Sequence, residues 1–187
     1  MSIALKLFIS YSHKDESLKD ELVAHLSPFK RSGVIDSWDD RMILPGDEWA
    51  GEIDENLEKA NVILLLISSD FINSRYCYDI EMKRALERHA DPTELATVVP
   101  VIVRECLWNA SGSPIRHLQS VPKDGKAVTS SRWNSTDEAF TNAMRSLDKL
   151  FTELRKETNR HGISSRQYDN VPAVDHDAMV VESDKYN

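Results

Sequence analysis

Apolar and polar residues alternate along the chain in blocks that predict strands and helices in turn. Leu5–Ile9 and Val62–Ile67 are short apolar runs, and the second contains no polar position at all. A run of this kind between helices is typical of a central parallel strand that is covered on both faces. Thr97–Val103 and, more weakly, Val34–Trp38 predict two further strands, and Pro100 suggests a bulge or an edge position in the former.

Between these runs, apolar residues recur every three to four positions, which is the spacing of one face of a helix. The spacing predicts helices over Asp15–Lys30, over Glu48–Ala60 and somewhere within Asn73–His89. A long final helix follows, and Ser135 or Thr136 is expected to cap its start.

The alternation of strands and helices implies a single α/β domain, with a mostly parallel sheet and helices on both faces. Residues 127–129 predict a short fifth strand, and the expected strand order is 2-1-3-4-5, as in the flavodoxin-like three-layer fold. From residue 158 the apolar periodicity disappears, so we place the domain at 1–157 and a flexible polar C-terminal tail at 158–187.

In open parallel sheets, ligands bind outside the carboxyl ends of the strands at the point where the strand order reverses. For the order expected here, that point lies between strands one and three. The segments Ser10–Ser12 and Ser68–Asp70 follow these two strands. The sequence therefore predicts a ligand crevice between them.

Charge and composition narrow the classes of partner. The 187 residues carry a formal net charge of −8, which argues against nucleic acid, because phosphate binding needs clustered lysine and arginine. The two cysteines, Cys77 and Cys106, form no CxxC motif, and the six histidines show no metal-ligand spacing, so we expect no metal site. The N-terminus does not read as a signal peptide, and Val62–Ile67 is too short to span a bilayer, so we expect a cytoplasmic protein without a membrane partner.

Four segments, in order over about residues 5–155, together resemble the TIR (Toll/interleukin-1 receptor homology) family. They are similar to the family's first box, its second box, the helix that carries its catalytic glutamate, and its fourth strand. In this chain they are Phe8–Ser12 with Asp15, Asp39–Arg41 with Leu44–Gly46, Tyr76–Glu81, and Val99–Ile102. The third segment looks like the bacterial form of that helix. The chain also resembles standalone, NAD-cleaving members of this length, which occur in anti-phage systems of the Thoeris type.

The resemblance implies an NAD⁺ glycohydrolase or cyclase that cleaves the nicotinamide–ribose bond. Its products are nicotinamide and ADP-ribose or a cyclic ADP-ribose signal, as in bacterial immune signalling. NAD⁺ is then a substrate, and no cofactor is expected, since no GxGxxG motif follows strand one. The implied partners are other TIR protomers, in a homo-oligomer or filament, and a downstream effector that senses the product. The alternatives are a non-catalytic TIR adaptor that acts through assembly, or an effector that targets another protein.

Cleavage of this bond expels neutral nicotinamide from a ribose that becomes oxocarbenium-like. One carboxylate beneath the sugar can stabilise the positive charge and orient the hydroxyl groups. The resemblance assigns this catalytic role to Glu81. The residues alone also allow a solvated helix face for Glu81, because Glu-to-Arg pairs are common there.

The remaining candidates are substrate-binding residues around the expected crevice. They are Ser10, Tyr11, Trp38, Arg41, Leu44, Tyr76 and Cys77. Family enzymes often have Trp four residues before the glutamate, where this chain has Cys77, so Tyr76 or Tyr78 is expected to replace the ring. Core packing is the alternative for Trp38, Tyr76 and Cys77. A salt bridge within the loop is the alternative for Arg41, and control of loop shape and self-assembly is the alternative for Leu44.

Overall fold

The fold is that of a computed structural model, which describes residues 4–38 and 55–160. In this part of the chain, four strands form one sheet: β1 (Leu5–Ser10), β2 (Ile35–Trp38), β3 (Val62–Ile67) and β4 (Thr97–Ile102). Their order is β2-β1-β3-β4, and each neighbouring pair is parallel. The flavodoxin-like class and the predicted order of these strands are therefore confirmed.

Helices lie in the connections between these strands and after β4. They are α1 (Glu16–Arg31), α2 (Ser69–Asn73), a π-helix (Arg75–Met82), α3 (Lys83–Ala90) and α4 (Thr136–Arg160). Residues 55–59 are also helical and are the part of the predicted Glu48–Ala60 helix that the structure describes. No helix in the described ranges is both long and apolar enough to cross a bilayer.

Hydroxyl side chains mark where several of these helices begin. Ser68 accepts a hydrogen bond from the backbone N–H of Phe71 at 3.0 Å, so the helical region after β3 begins earlier than the predicted Asn73. Ser135 accepts from the N–H of Glu138 at 3.2 Å, which makes Ser135 the cap of α4. Residues 158–160 continue α4, and the rest of the predicted tail lies outside the described residues.

The predicted fifth strand at residues 127–129 is not formed, and this expectation was wrong. Val128 donates its N–H to the carbonyl of Ile102 at 2.9 Å, and only an isolated bridge joins Val101 to Val121. Between these contacts, Asp124 and Gly125 have φ angles of 64° and 63°. Ser130 also donates its N–H to the carbonyl of Ala127 at 3.0 Å, so the predicted strand residues lie in a turn and do not extend beside β4.

Pro100 lies in β4 without a bulge, because its register against β3 is continuous. Val121 donates its N–H to the carbonyl of Pro100 at 2.9 Å, and Ile102 donates to Val121 at 2.8 Å. At Pro100, the backbone N and carbonyl of β4 therefore face the segment around Val121 and not β3. Because no N–H is needed on the β3 side at this position, the proline does not interrupt the pairing of β4 with β3. The edge position suggested by the sequence is confirmed, and the bulge is not.

Two buried clusters cover the two faces of the sheet. The first packs Leu5, Leu7 and Ile9 of β1 against α1 and α4. The second packs Phe8 of β1 and the alternate residues of β3 against α2, the π-helix and α3. The strand period of two thus divides β1 between two cores, and all six residues of β3 are fully buried.

A buried arginine joins α3 to the helical residues 55–59. Arg88, only 4% exposed, donates to the carbonyls of Leu57 and Ala60 and, through Nε, to Glu94 at 2.6 Å. Arg84 forms a two-pronged pair with Glu58 at 2.5 and 2.6 Å. Arg84 lies near the start of α3, whereas Arg88 lies toward the end of α3 that is remote from Glu81.

Candidate functional site

A buried serine–glutamate pair lies where β1 ends. Ser10 donates its hydroxyl to Oε2 of Glu81 at 2.5 Å, and the two residues are 1% and 5% exposed. Ser10 is the last residue of β1, and Glu81 lies in the π-helix. Glu81 is therefore not on a solvated helix face, and the structure brings the predicted catalytic carboxylate to the predicted strand end.

Cys77 lies one turn before Glu81 and is 5% exposed. Its thiol donates to the backbone carbonyl of Tyr11 at 3.4 Å. Burial raises the pKa of the Cys77 thiol to about 11, and the negative charge of Glu81 contributes in the same direction. Because the thiolate is the nucleophilic form, a thiol that remains protonated at neutral pH is a packing group and not a nucleophile.

Tyr11 contributes its backbone to this region, and its ring lies elsewhere. The ring is 8% exposed and belongs to the first core cluster, with α1. Its centroid is 5.0 Å from Nζ of Lys19. Adjacent residues of an extended chain point to opposite faces of the sheet. The Ser10 hydroxyl therefore lies on the side of Glu81, and the Tyr11 ring lies on the side of the first core cluster.

The π-helix changes the angle between Glu81 and the aromatic residues that precede it. Its i→i+5 hydrogen bonds place more residues in each turn than an α-helix has. Tyr76, five residues before Glu81, is therefore rotated toward the Glu81 face relative to its place in an α-helix. Tyr76 and Tyr78 both pack partly buried against the second core cluster, and Tyr78 also lines a cavity of about 230 Å³ with Trp108.

Five charged or hydroxyl side chains form an ion cluster beside the serine–glutamate pair. Asp15, 1% exposed, accepts from Nε of Arg104 at 2.7 Å and from the hydroxyl of Ser68. Arg104 also donates through Nη2 to Asp70, which pairs with Nζ of Lys14 at 2.7 Å. We call these five residues the carboxyl-edge cluster, because they follow the carboxyl ends of β1, β3 and β4.

Electrostatics in the carboxyl-edge cluster favour the charged forms. The hydrogen bond from Arg104, and then that from Lys14, lowers the pKa of Asp70 below its ordinary value. The hydrogen bonds to Asp70 and Asp15 raise the pKa of Arg104. In the sequence, Asp15 was noted only as part of the first box and Asp70 only as part of the segment after strand three. Arg104 was not noted, because a single arginine after a strand belongs to no recognisable motif.

The other sequence candidates have different outcomes. Trp38 is the last residue of β2, in register with Phe8 of β1. Arg41 and Leu44 lie outside the described residues. Within the described ranges, no group of three or more His, Cys, Asp or Glu side chains could hold a metal ion.

The strand order, the two covered faces and the polar carboxyl edge define an α/β domain of the TIR type. A family model described as TIR domain matches residues 7–145, and the chain belongs to this family.

Two relatives can be compared directly. The uncharacterized protein y4lF of Sinorhizobium fredii is 48% identical over 134 residues, which is 72% of this chain and 40% of that protein. The chain thus spans less than half the length of this relative. The crystal structure of the TIR domain of the Toll-related receptor TRR-2 from Hydra magnipapillata is similar, with a TM-score of 0.48 and 19% identity, over 63% of this chain and 82% of that one.

Proposed function

We propose that this TIR domain binds NAD⁺ and cleaves the bond between nicotinamide and ribose. The products are nicotinamide and either ADP-ribose or a cyclic ADP-ribose. One observation carries the proposal: the carboxylate of Glu81 is 5% exposed and accepts the Ser10 hydroxyl at 2.5 Å, at the carboxyl end of β1. This edge, between β1 and β3, is where sheets of this order bind ligands.

In the proposed hydrolysis, the bond from ribose C1′ to the nicotinamide nitrogen breaks, and its electron pair leaves with neutral nicotinamide. Glu81 stabilises the positive charge that develops on the ribose, since a charge is more effective where water is largely excluded. Water then adds to C1′ and releases a proton. Ser10 orients the carboxylate by holding Oε2, and in the proposed reaction the carboxylate acts on a ribose hydroxyl or on the water.

Cyclisation would replace the water by a nucleophilic atom of the ADP-ribose itself. We further propose that other protomers of this domain assemble with it, and that the released product signals to an effector in bacterial immunity. The resemblance implies that the sequence segment around Leu44 takes part in this assembly.

A non-catalytic adaptor is the second candidate, and one observation favours it. Cys77 stands where family enzymes often have Trp, and its thiol is buried against the carbonyl of Tyr11 at 3.4 Å. This position therefore offers no ring on which nicotinamide could stack. An adaptor would act through assembly alone and would not depend on the Glu81 carboxylate.

The test compares wild type with Glu81→Gln, because Gln keeps the shape of the side chain and an acceptor for Ser10. Purified protein at high concentration is incubated with NAD⁺, and nicotinamide and ADP-ribose species are measured by HPLC and mass spectrometry. Removal of one charge aimed at the transition state is expected to slow nicotinamide release by about 100-fold or more. The product mass separates hydrolysis from cyclisation.

Glu87→Gln is the matched control, since Glu87 is an exposed carboxylate on α3, 3.7 Å from Arg84. It is expected to cleave NAD⁺ at the wild-type rate. Equal rates for wild type and Glu81→Gln would contradict the catalytic role of Glu81. The absence of nicotinamide release from wild type, even under crowding and with extract of infected cells, would favour the adaptor.

A further inference from the structure

We propose that Arg104 is a positioning residue, which holds the end of β1 at a fixed separation from the helical segment that carries Glu81. Arg104 lies just beyond β4, and the backbone N–H groups of Val103 and Arg104 both point to the carbonyl of Ile67, at 3.0 and 3.4 Å. This places the guanidinium above the carboxyl end of β3. The catalytic part of the proposal rests on the proposed function, whereas its geometric part does not.

One arm of Arg104 binds the segment that follows β1. Nε donates at 2.7 Å to Asp15, whose other oxygen accepts from Ser68. Asp15 occupies the N-cap position of α1, yet its side chain makes no capping hydrogen bond. A carboxylate at this position ordinarily binds the first N–H groups of the helix. Its use for Arg104 and Ser68 indicates that Asp15 joins segments and does not serve the helix start.

The second arm of Arg104 binds the segment that follows β3. Nη2 donates to Asp70 of α2, which also binds Lys14 at 2.7 Å. A guanidinium can address two carboxylates with separate N–H groups in fixed directions, and a lysine ammonium cannot reproduce this geometry. Two cations and two carboxylates balance, so the carboxyl-edge cluster adds no net charge beside Glu81.

The same two segments carry the two contacts of the candidate site. Ser10 with Glu81, at 2.5 Å, and the Tyr11 carbonyl with Cys77, at 3.4 Å, join the end of β1 to the π-helix. The π-helix follows α2 after the single residue Ser74. Arg104 bridges the same two segments through Asp15 and Asp70, in addition to their direct Ser68–Asp15 and Lys14–Asp70 bonds. A shift of about 1 Å in a reacting group can cost on the order of 100-fold in rate, so this link bears on turnover.

The catalytic test measures kcat and KM for Arg104→Gln and Arg104→Lys. For Arg104→Gln, we expect kcat to fall by about 10- to 100-fold with little change in KM, because the carboxylate is displaced while the binding surface remains. Arg104→Lys keeps one charge and is expected to recover part of the loss. Arg145→Gln, at an exposed position on α4, should match wild type.

A second readout does not depend on catalysis. In a Cys106→Ser background, the rate at which a disulfide reagent such as DTNB labels Cys77 reports on the contact between Cys77 and Tyr11. We expect Cys77 to react with DTNB about 10-fold faster in Arg104→Gln than in wild type, at a temperature where the variant remains folded. Arg88→Gln, which weakens the fold at the remote end of α3, is expected to label at the wild-type rate.

Unchanged kcat and unchanged labelling in a folded Arg104→Gln would overturn the positioning role, as would equally fast labelling of Arg88→Gln. If wild type cleaves no NAD⁺ but Arg104→Gln labels faster, the proposed function fails and the positioning role stands. If Arg104→Gln does not fold, Asp70→Asn weakens the second arm, together with the pair between Asp70 and Lys14. That variant should change both readouts in the same direction by a smaller factor, and no change would overturn the proposal.

Discussion

Ser10 determines what one oxygen of the Glu81 carboxylate can do. Its hydroxyl binds Oε2 at 2.5 Å, and both residues are almost fully buried. A buried carboxylate that loses a donor retains its desolvation cost without the compensating bond. The serine thus contributes to stability as well as to the geometry of the site, and the two contributions can be measured separately.

Ser10→Ala is expected to lower the free energy of unfolding by about 1–3 kcal/mol, since it leaves a buried acceptor without this donor. Urea denaturation followed by circular dichroism measures the change. Ser27→Ala is the control, because its hydroxyl bonds only locally to the carbonyl of Val23 in α1, at 3.3 Å. That variant should stay within about 0.5 kcal/mol of wild type. Equal losses for the two variants would contradict a special role for Ser10.

For individual residues, the sequence predicted that the end of strand one and Glu81 lie at the same site, but it did not predict the burial or orientation of their side chains. Glu81 was assigned from the family resemblance, and its burial could not be read from a segment that looks like a solvated helix. Tyr11 was predicted as a substrate contact, whereas strand alternation places its ring in the first core cluster. Arg104 carries no pattern of its own, because its partners Asp15 and Asp70 are far away in sequence.

Among the secondary-structure elements, periodicity predicted β1, β3 and β4 to within one residue at each end. Periodicity did not predict the π-helix, in which the number of residues per turn differs from that of an α-helix, or the irregular segment after β4. The π-helix has more residues per turn than the 3.6 that the helical pattern assumes, so periodicity did not predict how Tyr76 and Tyr78 are rotated relative to Glu81. The prediction of a fifth strand failed because residues 127–130 form a turn, closed by the bond from the Ser130 N–H to the Ala127 carbonyl.

The tight turn at Asp124 and Gly125 provides a test at the scale of one element. Gly125 has a φ of +63°, and a Cβ there would lie 2.6 Å from the indole atom Cζ2 of Trp108. Gly33, just after α1, has a φ of +68° with nothing within 4 Å of such a Cβ. Gly33→Ala is expected to cost about 1–2 kcal/mol from the backbone alone. Gly125→Ala should cost more, by roughly 1–3 kcal/mol of overpacking.

The difference between the two glycine variants, measured by thermal and urea unfolding, isolates the contact with Trp108. Equal losses would show that the indole moves aside freely. In that case, the segment that replaces the fifth strand would be held by its backbone hydrogen bonds and not by Trp108.

For the whole molecule, the lowered pKa of Asp70 links stability to pH. The carboxylate is favoured in the folded state by Arg104 first and then by Lys14. A carboxyl group whose pKa is lower in the folded than in the unfolded protein stabilises the fold at pH values above its unfolded-state pKa, which is about 4. This stabilisation is lost as the pH falls through the folded-state pKa. The carboxyl-edge cluster is therefore expected to contribute to acid unfolding and to have little pH dependence near neutrality.

Asp70→Asn should accordingly reduce the dependence of Tm on pH below about pH 4, because one group that must be protonated on unfolding is removed. Differential scanning calorimetry from pH 7 to pH 3 measures the slope. Asp148→Asn, at an exposed position on α4, should keep the wild-type slope. An unchanged slope for Asp70→Asn would mean that other carboxylates determine acid sensitivity.

The position of β1 between two parallel neighbours has a consequence for how this site can vary. In β1, Leu5, Leu7 and Ile9 belong to one core, whereas Phe8 belongs to the other and alternates in the same direction as Ser10. An inserted or deleted residue within the strand would exchange these two sets and bring Ile9 or Tyr11 to Glu81 in place of a hydroxyl. Substitutions can alter the chemistry one group at a time, whereas a change of length in β1 would replace the site and both cores together. We therefore expect active relatives to keep the length of this strand and to accommodate insertions in the loops.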